Sequence, residues 1–172
     1  MHSLDKVRAE YRRLDALLGI DTSAIELIIS KRALHRLGSF SVRRQQGSER
    51  LRITLSALVM EDEELFMDTI RHEYAHAAVH LLYPGQRHGH DALWKNICLR
   101  VGCRPQSRTP LSEQAAELRA QKIRYLVRCK NCGRESGYVR RGKVVETLMR
   151  GRGSALRCTA CGKSSFELFV KQ

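Results

Sequence analysis

The chain has 172 residues, 42% of them hydrophobic, which suffices for one compact domain and a small appendage but not for two full-sized cores. Its formal net charge of +13 exceeds what solubility needs and points to a polyanionic partner, nucleic acid or an anionic membrane surface, without choosing between them. No run approaches the roughly 18 apolar residues of a membrane span, and Met1 to Arg13 is charged where a signal peptide needs an apolar stretch, so an intracellular setting is expected.

In chain order, Leu4, Val7, Tyr11, Leu14 and Leu18 recur at three- and four-residue steps between a capping Ser3 and a closing Gly19, the pattern of an amphipathic helix. Ala24 to Ser30, Ser39 to Arg44 and Leu51 to Leu55 read as three strands of an antiparallel sheet, the last two joined by a turn at Gln46-Gly47-Ser48. The acidic cluster Glu61 to Glu64 favours a helix N-terminus, and the spacing predicts a long helix from about Glu61 to Leu82, stopped by Pro84-Gly85. Asp91 to Val101 is again helix-like before Gly102, and Leu111 to about Ala120 is a further helix or a linker. From Ile123 the texture changes to short strand-like pieces, 123–127, 136–139 and 166–170, among cysteine knuckles. The expected organisation is a domain over 1–111, a linker over 112–122 and a small module over 123–172.

His72-Glu73-Tyr74-Ala75-His76 is a His-Glu-x-x-His pattern within the long helix. Four residues at about 100° each return the second imidazole to the face of the first, so both can meet one zinc ion, while Glu73 stands beside them as a general base for a water on that ion. Four residues compete for the third ligand position. His80 lies about 12 Å along the helix from His72, too far to share an ion. His88, His90 and Asp91 follow the Pro84-Gly85 break, and histidine is favoured over aspartate, but geometry alone does not separate His88 from His90. Tyr74, Tyr83 and Arg87 lie near in sequence and read as structural rather than as oxyanion donors.

Cys129-Lys130-Asn131-Cys132-Gly133 and Cys158-Thr159-Ala160-Cys161-Gly162 are two matched knuckles. Each turns two thiolates toward one point, and two together complete a closed tetrahedral site, so Cys129, Cys132, Cys158 and Cys161 are expected to hold a structural zinc ion rather than to form disulfides or a redox dithiol. Cys98 reads as buried; Cys103 has no evident partner. Basic residues concentrate in this module. Arg124, Arg128, Lys130, Arg134, Arg140, Arg141, Lys143, Arg150, Arg152 and Arg157, with Arg119 and Lys122 before them, can neutralise phosphates without reading bases, and Tyr125 and Tyr138 can stack on unpaired ones.

Taken together, His72 to His76 in a helix, Gly89-His90 after it, Trp94-Lys95 opening a helix that ends at Val101-Gly102, and a C-terminal four-cysteine ribbon resemble the SprT-like metalloproteases, which include Spartan. In that family the third zinc histidine lies four residues before an aromatic residue, and counting back from Trp94 gives His90. Asp91 stands where the family usually has glycine, while His88-Gly89 keeps the dipeptide at another distance from Trp94. The resemblance implies an α+β zincin-like fold, with a small antiparallel sheet and an active-site helix, and peptide-bond hydrolysis with one catalytic and one structural zinc ion. It further implies that the substrates are proteins bound or crosslinked to DNA, single-stranded or structured, with no membrane role. The expected location is the nucleoid-associated cytoplasm, or the nucleus in a eukaryote. The competing expectation is a DNA-binding regulator whose zincin domain is structural or inactive.

Overall fold

A computed structural model describes residues 3–33, 36–86, 88–107, 110–111 and 113–171. They form two compact units, 1–116 and 117–172, each with its own three-stranded sheet.

In the first unit, α1 (Leu4–Leu18) begins where the Ser3 hydroxyl accepts the Lys6 N–H at 3.3 Å. Val7, Tyr11 and Leu14, one per turn, are fully buried. The Tyr11 hydroxyl donates to the Ile70 carbonyl at 2.9 Å and its ring packs on Tyr74, whose own hydroxyl donates to Asp15 at 2.8 Å. A buried tyrosine needs such a partner. These bonds tie α1 to the long helix α2 (Glu63–Leu82).

α2 is capped by Asp62, whose carboxylate accepts the Leu65 N–H at 2.9 Å, so its first residue, Glu63, stands two after the expected start near Glu61. Leu65, Phe66, Ile70, Tyr74 and Val79 are buried, each contributing on the order of 1.5–3 kcal/mol, while Ala75, Ala77 and Ala78 let neighbours approach closely. α3 (Ala92–Val101) packs on α2 through Trp94, Ile97, Cys98 and Val101. Cys103 does have a partner. The Cys98 thiol is hydrogen-bonded with that of Cys103, and both are buried.

β1 (Glu26–Ser30), β2 (Gly38–Gln45) and β3 (Ser48–Ser56) form a sheet in the order β1-β3-β2. β2 and β3 are the expected hairpin, turning at Gln46 (φ 49°) and Gly47 (φ 80°), a pair of positive φ values that matches strand twist. β1, however, pairs with β3 in parallel, with Ile28 opposite Thr54, so the sheet is mixed rather than antiparallel. The end of β1 and the start of β2 both lie at the C-terminal end of β3, where the Ser56 N–H donates to the Leu37 carbonyl at 2.7 Å and the Ser56 hydroxyl to the Ala33 carbonyl. One face of the sheet, with Phe40, Ile53 and Leu55, lies against α2.

Residues 113–122 form α4 (Glu113–Lys122), and the division between the units falls within it. In the second unit, β4 (Tyr125–Cys129) is flanked by β5 (Glu135–Tyr138) and β6 (Phe166–Val170), both antiparallel to it. A short helix, α5 (Lys143–Met149), follows β5 and buries Val145. The sequence reading has no helix there, because seven residues containing a Val-Val pair carry too little helical period to register.

Candidate metal centres

His72 and His76 face the same side of α2 one turn apart, and His90 reaches them from the loop that turns back beyond Pro84-Gly85. The Nε2 atom of His90 lies 3.2 Å from that of His76 and 3.3 Å from that of His72. Trp94 is the floor beneath all three: its ring centroid lies 4.8, 5.1 and 4.5 Å from those of His72, His76 and His90. Burial pushes His72 down to about 4, helped by the neighbouring His90, and His76 down to about 3, helped by His72 and His90. Burial also lowers His90. At neutral pH the rings are therefore uncharged, and uncharged imidazoles offer lone pairs. Tetrahedral zinc with nitrogen ligands at about 2.0–2.1 Å requires nitrogens about 3.3–3.4 Å apart, so the observed spacing and the donor set both fit that ion.

The other candidates are held elsewhere. His80 Nε2 lies 2.8 Å from Glu49, with its ring near Phe40. His88 Nδ1 lies 2.8 Å from Asp91 Oδ2, and its side chain is 8% exposed. Asp91 Oδ1 accepts the Trp94 N–H at 3.0 Å, which makes this residue the N-cap of α3. One carboxylate thus clasps the loop bearing His88 and His90 to the helix bearing Trp94. That accounts for an aspartate at a position where the resemblance leads one to expect glycine. Tyr74 is spent on Asp15, Tyr83 lies half-exposed near His88, and Arg87 lies outside the described residues.

Glu73 is 5% exposed and sits between α2 and the start of β2. Burial pushes its carboxyl up to about 8, against the Phe40 backbone N–H that hydrogen-bonds it and the charge of Arg36. A nearby divalent cation acts in the opposite sense. Sequence reasoning passed over Gly38, where a Cβ would stand 2.6 Å from both Cγ and Oε1 of Glu73. The available signal was a glycine opening a strand pattern, which marks a close approach. If Glu73 is the general base that the resemblance implies, Gly38→Ala should displace its carboxylate and lower hydrolysis by about 10²-fold, while bound metal measured by emission spectrometry stays constant.

In the second unit the four knuckle cysteines converge, with Cys129 Sγ 3.6 Å from Cys161 Sγ and Cys132 Sγ 3.7 Å from Cys158 Sγ. Zinc–sulfur bonds of about 2.3 Å in a tetrahedron place sulfurs about 3.8 Å apart, so this set fits zinc as well. The two turns are built alike. Gly133 N–H donates to the Cys129 carbonyl and Gly162 N–H to the Cys158 carbonyl, both at 2.9 Å, and both glycines have φ 72°, where a side chain would be strained. The backbone N–H groups of Cys161 and Ala160 hold Cys158 down at about 6, and that of Cys132 lowers Cys129, which favours the metal-binding thiolate at those two sulfurs; Cys161, against the Lys163 backbone N–H, is pushed up to about 12 by burial and by the thiols of Cys132, Cys129 and Cys158.

Each of Arg124, Arg128, Lys130, Arg134, Arg140, Arg141, Lys143, Arg150, Arg152 and Arg157 is exposed. Two also serve their own fold. Arg128 pairs with Glu135 at 2.7 Å and lies over the Phe169 ring, and Arg157 donates to the carbonyls of Ser154 and Leu156. Tyr125 and Tyr138 stand directly opposite each other across the β4–β5 ladder, half-buried.

No helix among the described residues is long and apolar enough to cross a membrane. No curated protein matches the chain closely enough to count as a relative. The model of the SprT-like family matches residues 6–115, a stretch that takes in α1, the sheet, α2 and α3 and therefore the whole histidine cluster with Glu73. This match spans more than half of the chain, which belongs to the SprT-like family, with the zincin-like metalloprotease-type domain of that family.

Proposed function

We propose that the chain is a zinc-dependent endopeptidase that acts on proteins held on nucleic acid. The observation that carries the reading is a buried carboxylate, Glu73, next to three uncharged imidazoles whose Nε2 atoms converge at tetrahedral spacing. A purely structural metal site has no use for that carboxylate. His72, His76 and His90 would hold the catalytic zinc, leaving one position open. Zinc, when bound, polarises the peptide carbonyl and lowers the pKa of water toward about 7.

Glu73 takes the proton from the attacking water on a carboxylate oxygen and delivers it to the leaving amine nitrogen. The Phe40 N–H fixes the carboxylate, and the absent side chain at Gly38 gives it room. Trp94 and the Asp91 clasp hold His90 in register with α2. A second zinc ion on Cys129, Cys132, Cys158 and Cys161 would hold the basic module together.

The exposed arginines and lysines of that module support the nucleic-acid half of the reading, since they can neutralise phosphates regardless of base sequence. Holding enzyme and substrate on one strand raises their local concentration and confines cleavage to proteins on DNA, including proteins crosslinked to it. The test is hydrolysis of a DNA-binding protein by the full chain with and without single-stranded or structured DNA. Cleavage stimulated at least tenfold by DNA is expected, and equal rates in both arms, autocleavage included, would contradict the nucleic-acid half.

A further inference from the structure

The β2–β3 hairpin has two unlike faces. On the α2 side lie Gly38, Phe40, Ile53 and Leu55. Alternation places Ser41, Arg43 and Gln45 of β2, with Ser48, Arg50 and Arg52 of β3, on the other side. That side holds a shallow depression of about 320 Å³ whose lining includes Glu26, Ser41, Arg43, Gln45, Arg50 and Arg52.

Arg43 stands directly opposite Arg50 in the ladder. Like charges so placed destabilise a sheet. Neither forms an ion pair among the described residues: Glu26 is taken by Arg52 at 2.8 Å, and Glu49 points to the α2 side, where Arg44 and His80 hold it. Both residues are exposed, on strands joined by the turn at Gln46 and Gly47.

We propose that this outward face of the hairpin is a docking surface for the phosphodiester backbone of a nucleic acid. Its polar lining is rich in donors, from Arg, Ser and Gln, and paired guanidinium forks match phosphate oxygens two at a time. Arg43 and Arg50, directly opposite each other on neighbouring strands, have Cβ atoms about 4.5–5.5 Å apart, so their two guanidinium groups can reach neighbouring phosphates while Arg52 stays on Glu26. The lining contains no aromatic side chain on which a base could stack and no apolar side chain that could enter a membrane, so the contact is to the backbone and indifferent to sequence. Because β2 presents Gly38 and Phe40 to Glu73 on its opposite face, a strand bound here leaves the histidine side of the sheet open to a protein substrate.

The inference rests on the nucleic-acid half of the proposed function and adds a second contact surface, on the first unit. Its test is anisotropy of a fluorescein-labelled single-stranded oligonucleotide titrated with full-length protein over a range of salt, comparing wild type with Arg43→Gln/Arg50→Gln and, separately, Arg140→Gln/Arg141→Gln. The hairpin variant is expected to bind roughly tenfold more weakly and to lose about 1.4 from the slope of log K against log salt, the contribution of two phosphate contacts on a single strand. Hairpin binding and slope equal to wild type, while the Arg140/Arg141 variant is weakened, would overturn this inference alone. Failure of the wild type to bind the oligonucleotide would overturn the nucleic-acid half of the proposed function with it. A hairpin variant that loses binding to phosphatidylserine vesicles but not to the oligonucleotide would also overturn the inference, by showing the face to be a membrane contact.

Discussion

Glu73→Gln is expected to abolish measurable peptide hydrolysis, with a loss of about 10²–10⁴-fold, while bound metal and nucleic-acid affinity stay at wild-type levels. Glutamine has the same shape and can still accept the Phe40 N–H, so the packing against Gly38 persists. What it cannot do is take a proton from water. Burial also makes the charged form of Glu73 costly, so the variant should melt no lower than wild type in a metal-free comparison. Steady-state hydrolysis together with calorimetric melting checks both halves. Retained activity would remove Glu73 from the chemistry, whereas a joint loss of activity and metal would make it a structural residue.

The second large effect concerns the four-cysteine site. Among the described residues of 117–172, the buried aliphatic side chains are Val127 and Val145, too little apolar surface to hold a module of this size. On the proposed reading metal binding supplies the difference, since structural zinc sites contribute about 10–16 kcal/mol in comparable peptides. Cys161→Ser should therefore release one metal equivalent and unfold 117–172. The expected sign is rapid amide hydrogen exchange across β4, β5 and β6, with the protection of α1, α2 and α3 retained. Exchange in β4 as slow as in wild type would show that the module stands without its metal.

The parts of this fold that were legible in sequence are those whose signals are local. α1, α2 and α3 announce themselves through the spacing of Val7, Tyr11 and Leu14, the Asp62 cap and the Trp94 to Val101 stripe, because helix period and caps lie within a few residues of each other. The pairing of β1 was not legible. It depends on where a loop carries the chain, and no residue of β1 encodes whether β2 or β3 will lie beside it. α5 is too short for a period to register.

In the site, the four-residue step from His72 to His76 is a local signal. The loop itself does not separate His88 from His90: the spacing to Trp94 that the resemblance supplies picks His90, and the ring that points inward is fixed by the Asp91 carboxylate bonding His88 on one oxygen and the start of α3 on the other. Gly38 lies far from Glu73 in sequence, and its contribution is the absence of atoms. Only the folded sheet gives that absence a location. Cys103 likewise finds Cys98 only once α3 has ended and the chain has turned back.

On the proposed reading His72, His76 and His90 hold one zinc ion and the four knuckle cysteines another. The decisive measurement is metal content per chain of the wild type, His90→Ala and His88→Ala, by emission spectrometry on purified protein. About two zinc ions in the wild type, about one after His90→Ala and about two after His88→Ala are predicted, because loss of one of three protein ligands empties an open site and leaves a closed one intact. Two ions retained in His90→Ala, or one lost in His88→Ala, would contradict it.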